Sequence, residues 1–107
     1  MNTGRWQIIE VGNPFSSRLT ADQRDFAFTA IYDRLANAVD PTRHTDALGA
    51  VKPLHGNLRN QFSYKPAAHL RHYQDLEIRI RFQVLRGSCK IFIERVAPRD
   101  EVYAKKK

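Results

Sequence analysis

The stretch that decides the fold is Glu77-Ile-Arg-Ile-Arg-Phe-Gln-Val84, in which polar and apolar residues alternate without exception. Successive side chains of a β-strand point to opposite faces of a sheet, so the four apolar residues would share one face. Arg79 and Arg81 would lie on the other face. The pattern predicts a strand whose apolar face packs on a helix and whose basic face turns outward, suited to binding phosphate.

Other segments around this strand also have the character of β-strands. Residues 6–11 predict a first strand covered on both faces and closed by Gly12-Asn13-Pro14. Residues 61–65 predict a second strand that stops at Pro66. Residues 89–96 predict a strand that pairs with the 77–84 strand as a hairpin across a tight turn at Arg86-Gly87-Ser88. Residues 69–73 either extend the second strand after a bulge or form a short strand of their own.

A helix is predicted to begin at Thr20, because Thr20 and Gln23 have the spacing of a capping box. Its apolar stripe, at spacings of three and four, is Phe28, Ile31, Tyr32, Leu35 and Val39. Phe26 falls on the opposite side of the helix and is expected to contact a second element rather than a partner. After Pro41 we expect one or two further helical turns and then a break at residues 51–53.

These elements predict an α+β fold in one domain, residues 1–107, with a small antiparallel sheet, an N-terminal strand and helices packed on one face. Cys89, the single cysteine, excludes an intramolecular disulfide and is expected to be a core thiol. No apolar run has the length of a signal peptide or a membrane span, so a cytoplasmic protein with no membrane partner is expected.

The charge balance favours a polyanionic partner, with nucleic acid first among the candidates. The net charge is +7 and the pI is about 10.0 in only 107 residues. The alternative is that the surplus serves solubility alone. The basic side chains on or beside the predicted hairpin are Lys65, Arg79, Arg81, Lys90, Arg95 and Arg99, interleaved with Tyr64, Tyr73 and Tyr103. They are suited to RNA, or they form solvated ion pairs with Asp75, Glu77 and Glu94.

Histidines near this cluster are a second candidate group. His69 and His72 have the pKa range for acid–base work or for contact with RNA. The His-x-x-His spacing lacks the helix and the acidic companion of a zinc hydrolase, so neither a metal site nor a cofactor is predicted.

Three local patterns resemble the RelE/ParE superfamily of bacterial type II toxins. Leu54-His55-Gly56 is similar to the leucine, basic residue and glycine that precede the sheet in that family. Residues 78–84 resemble its arginine-bearing strand, and Pro98-Arg99-Asp100-Glu101-Val102-Tyr103 resembles its closing segment. The resemblance covers about the second half of the chain and implies a small sheet with N-terminal helices.

In the RelE branch the resemblance implies a metal-free endoribonuclease that cuts messenger RNA on the ribosome and is silenced by a cognate antitoxin. By position, Arg79 would hold the scissile phosphate and Arg99 would stabilise or protonate the leaving group. Tyr103 would stack on the base, and Lys65 would assist attack by the ribose 2′-hydroxyl. Arg81, Lys90, Arg95, His69 and His72 are the expected RNA-binding residues.

The chain also departs from the family pattern. Pro98 and Asp100 replace residues that are often basic, and residues 66–73 resemble an insertion that could move Lys65 away from the site. Arg81 falls where the family has an aliphatic or variable residue, so Arg79 is expected to matter more. The alternatives are a ParE-like inhibitor of DNA gyrase and a basic RNA-binding module without catalysis. The retained Arg79, Arg99 and Tyr103 favour the nuclease.

Overall fold

The computed structural model describes residues 5–43, 49–54, 61–66 and 78–98. The elements are β1 (Gln7–Glu10), α1 (Ala21–Phe28), a π-helical segment (Thr29–Leu35), β2 (Gly49–Pro53), β3 (Gln61–Pro66), β4 (Ile78–Leu85), a 3-10 turn (Arg86–Ser88) and β5 (Lys90–Pro98). The predicted α+β class is therefore confirmed.

The five strands form one mixed sheet in the order β1-β5-β4-β3-β2. The pairs β2/β3, β3/β4 and β4/β5 are antiparallel, which confirms the predicted hairpin. The first strand adds to the far side of the last one in the parallel sense. Helix α1 and the π-helical segment between β1 and β2 pack on one face of this sheet.

A β-bulge in β5 keeps the two faces of the sheet chemically distinct. Arg81 lies opposite Arg95 and the next residue, Phe82, lies opposite Ile93, so Glu94 is the extra residue. Without it, strict alternation would place Arg95 on the same face as Ile93. With it, Ile93 and Val96 both enter the core, where neither side chain is exposed.

The helix begins as predicted but buries a different stripe. The Gln23 N–H donates to Thr20 Oγ1 at 3.1 Å and the Thr20 N–H donates to Gln23 Oε1 at 2.9 Å, which confirms the capping box. The buried helical side chains are Phe26, Ala27, Ala30, Ile31 and Leu35. Phe28, Tyr32 and Val39 are instead 40%, 44% and 81% exposed, so the predicted stripe is wrong at these three positions.

The π-helical segment explains this change of phase. A π-turn bonds residue i+5 to residue i, as the Ala36 N–H does with the Ile31 carbonyl at 3.0 Å, and so a turn holds more residues than in an α-helix. The buried face therefore advances relative to a 3.6-residue stripe. Phe26 lies in the core, as expected of a contact with a second element.

Two further predictions are wrong. Residues 49–53 form edge strand β2 where a break was predicted; Pro53, which has no N–H, is tolerated because it lies on an edge strand. Cys89 is exposed rather than buried, because it closes the turn after Ser88 with a left-handed φ of 53°. Residues 44–48, which make up most of the segment after Pro41 where helical turns were predicted, lie outside the described residues, as do residues 69–73 and 99–107.

The packing predicts a test of helix phase. Ile31→Ala should lower the free energy of unfolding by about 2 to 5 kcal/mol, because it opens a cavity in the core. Val39→Ala, the matched control from the predicted stripe, should change it by less than about 0.5 kcal/mol. Urea denaturation of both variants measures the difference, and equal losses would contradict the buried face described here.

Tyr32 predicts a change of stability at alkaline pH. Its hydroxyl donates to Glu10 Oε2 at 2.5 Å, and partial burial together with this carboxylate raises the pKa of Tyr32 to about 12. The folded state then holds the proton more tightly than the unfolded chain, so the contribution is complete below pH 10 and is lost as the pH rises towards 12. Between about pH 9 and about pH 11, the free energy of unfolding should fall less in Tyr32→Phe than in the parent protein. Urea denaturation at each pH measures the fall.

Candidate nucleic-acid interface

The sheet face away from α1 carries nearly all the charge of strands β2–β5. Ile78, Ile80 and Phe82 join the helix in one core cluster, so the alternate side chains of β4 and those paired with them lie on the opposite face. We call this opposite side of β2–β5 the basic face. Its side chains are Lys52, Gln61, Ser63, Lys65, Arg79, Arg81, Gln83, Leu85, Lys90, Phe92, Arg95 and Ala97.

Three cations and a hydroxyl form a row across the middle of this face. The strand register places Lys52 opposite Ser63, Ser63 opposite Arg81 and Arg81 opposite Arg95. We call these four residues the central row. Like charges directly opposite each other in a sheet repel, so an anion bound between the Arg81 and Arg95 guanidinium groups would stabilise the pair.

Arg81 has a donor poised for such an anion. The residue is half-buried, and its Nε is shielded from solvent without a hydrogen-bond partner in the part of the chain that the structure describes. A buried donor that makes no bond costs about 1 to 3 kcal/mol. Binding a phosphate oxygen there would recover that cost. Arg81 is therefore more than an exposed charge.

Arg79 and Lys65 lie next to the central row. Each is one residue beyond the Tyr64–Ile80 pair, so the two are cross-strand neighbours on the basic face. Arg79 is only 8% exposed, and its Nη1 donates to the Ile78 carbonyl at 2.9 Å. The expectation that both strand arginines face solvent is wrong for Arg79. Its guanidinium is held in place, whereas the Lys65 ammonium is exposed.

Acidic residues are scarce on these strands. Glu94, at the bulge, is the only acidic residue in β2–β5. Two of the three carboxylates considered as ion-pair partners, Asp75 and Glu77, lie outside the described residues. Cations therefore outnumber acids on strands β2–β5, and a surplus of this kind favours a polyanionic partner.

The predicted site residues fall into two groups. Lys65, Arg79, Arg81, Lys90 and Arg95 all lie on the basic face. Arg99, Tyr103, His69 and His72 lie outside the described residues, so their roles stay predictions.

Tyr64, which was grouped with the basic residues, points into the core, where burial raises the pKa of its hydroxyl. Sequence reasoning missed Lys52, Gln61 and Ser63. The available signal was weak: Lys52 lies in a five-residue strand that ends at a proline.

The part of the chain that the structure describes lacks the features of two other protein classes. In residues 5–43, 49–54, 61–66 and 78–98, no three His, Cys, Asp or Glu side chains come together to hold a metal ion. All four histidines fall outside these ranges. Within the same ranges, no helix has the length and apolarity needed to cross a membrane.

The central row predicts specific stabilisation by a divalent anion. At equal ionic strength, sulfate should raise the melting temperature more than chloride does, partly through a general exclusion effect. That advantage should shrink in Arg81→Gln, which loses the unpaired donor, and stay unchanged in Arg34→Gln on the helical layer, where Arg34 contacts Asp33 at 3.6 Å. An equal sulfate effect in all three proteins would show that the row binds no anion.

No protein-family model and no curated protein sequence matches the chain. Among solved structures, it is similar to the crystal structure of the toxin–antitoxin complex RelBE2 from Mycobacterium tuberculosis, with a TM-score of 0.53 and 16% identity. The alignment covers 88% of this chain and 91% of that one. At this identity the likeness concerns the fold alone. The five-stranded mixed sheet with its helical layer is thus a fold that this protein shares with a chain of that complex.

Proposed function

We propose that this protein is the toxin of a type II toxin–antitoxin pair and acts as an endoribonuclease on messenger RNA. The observation that carries the proposal is the cluster of cations on the basic face of a RelE-like fold, with Arg79 and Lys65 beside the central row. The similar solved structure is described as a toxin–antitoxin complex, and this supports a cognate antitoxin as the partner.

The chemistry asked of the site is transfer of the RNA phosphate to the neighbouring ribose. The 2′-oxygen attacks phosphorus, the bond to the 5′-oxygen breaks, and a 2′,3′-cyclic phosphate and a 5′-hydroxyl are left. Negative charge grows on the phosphoryl oxygens as the attack proceeds, so fixed cations lower the barrier. These side chains can do this work without a metal ion.

Arg79 is suited to orient the scissile phosphate. Its burial and its bond to the Ile78 carbonyl restrict the guanidinium, so little conformational entropy is lost when the substrate binds. Lys65 is its exposed neighbour and can place a point charge near the attacking 2′-oxygen. By family resemblance, Arg99 would act at the leaving group and Tyr103 would stack on the base.

The central row is suited to hold the RNA backbone on either side of the reacting phosphate. Lys52, Arg81 and Arg95 span four adjacent strands, which lie about 4.8 Å apart. The row is therefore wide enough to contact more than one phosphate of a single strand. We propose that this binding takes place on translating ribosomes, where a messenger strand is held single-stranded.

The proposal predicts both the arrest of growth and the form of the cut ends. Induction without the antitoxin should stop translation. Purified protein added to programmed ribosomes should yield fragments with 5′-hydroxyl and 2′,3′-cyclic phosphate ends, the products of attack by the 2′-oxygen. Arg79→Ala and Lys65→Ala should each lower the cleavage rate about 100-fold or more, the scale of losing one charge-stabilising group. Primer extension and end-group analysis measure both effects.

Arg34→Gln is the matched control, because it removes one arginine charge from the opposite layer and should leave cleavage unchanged. Circular dichroism checks that Arg79→Ala, which removes a buried side chain, still folds. Intact message at protein concentrations that arrest growth would refute the nuclease. Inhibition of supercoiling by DNA gyrase under the same conditions would show instead that the protein is a gyrase inhibitor. Normal growth after induction would refute both toxin activities and favour a basic RNA-binding module without catalysis.

A further inference from the structure

The outer edge of β1 has no strand partner in the part of the chain that the structure describes. The Gln7 N–H donates to the Cys89 carbonyl at 2.9 Å, so this residue bonds towards β5. In a parallel ladder alternate residues bond to the same neighbour, and the N–H and C=O groups of Ile8 and Glu10 therefore point outward. An unpaired row of this kind is a template for another strand.

Apolar side chains lie beside this edge on both faces of the sheet. On the helical side, the exposed ring of Tyr32 stacks on that of Phe28 at 5.9 Å, and the Tyr32 hydroxyl donates to the Glu10 carboxylate. On the other side lie Ile9, which is half-buried, and Val11, which is 43% exposed. A strand with apolar groups on both faces has the pattern of an interior strand and not of an edge.

The opposite edge of the sheet, β2, is protected against pairing with another strand. The Leu54 N–H donates to the Gln61 carbonyl at 2.9 Å, so Pro53 faces outward, where it offers no N–H. Lys52, beside it, is exposed and charged. Proline and lysine are residues that natural sheets place on free edges. The β1 sequence Gln-Ile-Ile-Glu contains neither, and this contrast indicates that another strand covers the β1 edge.

The charges around β1 favour a second copy of this chain over an acidic partner segment. Although the net charge of the chain is +7, β1 carries no cation, and its one charged side chain is Glu10. An acidic segment lying along β1 would be repelled by that carboxylate. Two copies that meet at β1 keep their cations apart, because Lys90, opposite Gln7, lies one strand back from the edge.

We propose that two copies of this chain pair through β1 in the antiparallel sense and join their five-stranded sheets into one. Ile8 of each copy lies opposite Glu10 of the other, which uses every outward group of these two residues, and the two Ile9 residues meet on the two-fold axis. The axis is perpendicular to the sheet, so both helical layers lie on one side and both basic faces on the other. This inference does not depend on the proposed ribonuclease activity.

The two neighbouring registers are less favourable. A register that sets Glu10 opposite Glu10 brings two carboxylates together. A register that sets Ile8 opposite Ile8 needs Trp6 as its next outward residue, and the Trp6 N–H already donates to the Ala36 carbonyl at 2.9 Å. The register centred on Ile9 meets neither obstacle.

Sedimentation velocity measures this association. The contact is small, so the parent protein should pass from monomer to dimer between about 5 and about 500 μM, as expected of a weak interface. Ile9→Lys sets two lysines opposite each other on the axis and should raise the dissociation constant about tenfold or more. Leu85→Lys is the matched control: it adds the same charge at an exposed position on the same sheet face, two strands from β1, and should leave the dissociation constant unchanged.

Cysteine cross-linking tests the register, in a Cys89→Ser background that removes the single native thiol. Ile9→Cys puts two thiols at a directly opposed pair with Cα atoms about 4.5 Å apart, within the range of a disulfide. Val11→Cys sets them about 14 Å apart and should not cross-link under the same mild oxidation. A mixture of Gln7→Cys and Val11→Cys proteins should cross-link, because these positions face each other. Thermal denaturation of each variant confirms that the folded protein is being compared.

Three outcomes would overturn the proposal. A parent protein that stays monomeric over this concentration range forms no such dimer, and its β1 edge is then covered by another partner. A dimer that Ile9→Lys and Leu85→Lys weaken equally associates through another surface. Val11→Cys cross-linking as fast as Ile9→Cys would rule out the register. Cleavage of messenger RNA is measured separately on ribosomes, so the proposed function stands or falls independently of all three.

Discussion

The pairing of β4 with β5, including its bulge, is the constraint on which the rest of the structure depends. These strands are the centre of the sheet, and both the β1 edge and the β3/β2 side are built outward from them. The apolar and polar residues of β5 do not alternate strictly, and the bulge at Glu94 corrects for this, so that apolar side chains lie on one face of the sheet and charged side chains on the other. One extra residue sends Val96 into the core and Arg95 to the basic face, and so it separates the hydrophobic layer from the charged one.

What could be predicted from the sequence was whatever a short stretch encodes by itself. The alternation in β4 and the Thr20–Gln23 box are local signals, and each has its expected structure. The phase of the helical segment was not predictable from a 3.6-residue stripe, because a π-turn has a wider repeat. Cys89 was misassigned since thiols are usually buried, whereas here the hairpin turn sets the conformation.

The candidate site shows the same division between local and long-range information. Alternation alone puts Arg79 and Arg81 on one face, but only the register adds Lys52, Ser63 and Arg95. Burial then distinguishes the two strand arginines: Arg79 is enclosed and anchored, and Arg81 is half-buried with its Nε shielded from solvent. No periodicity in a single strand carries that distinction, because it depends on which side chains come from neighbouring strands.

The parallel pairing of β1 with β5 has a consequence for folding during synthesis. Gln7 pairs with Lys90, so a ladder partner for the first strand leaves the ribosome only after nearly the whole sheet has been made. Until then the apolar side of β1 and the helix behind it lack a completed layer to pack on. A growing chain therefore cannot assemble the full sheet before β5 has been made, and any activity that needs the pairing of Arg81 with Arg95 begins no earlier.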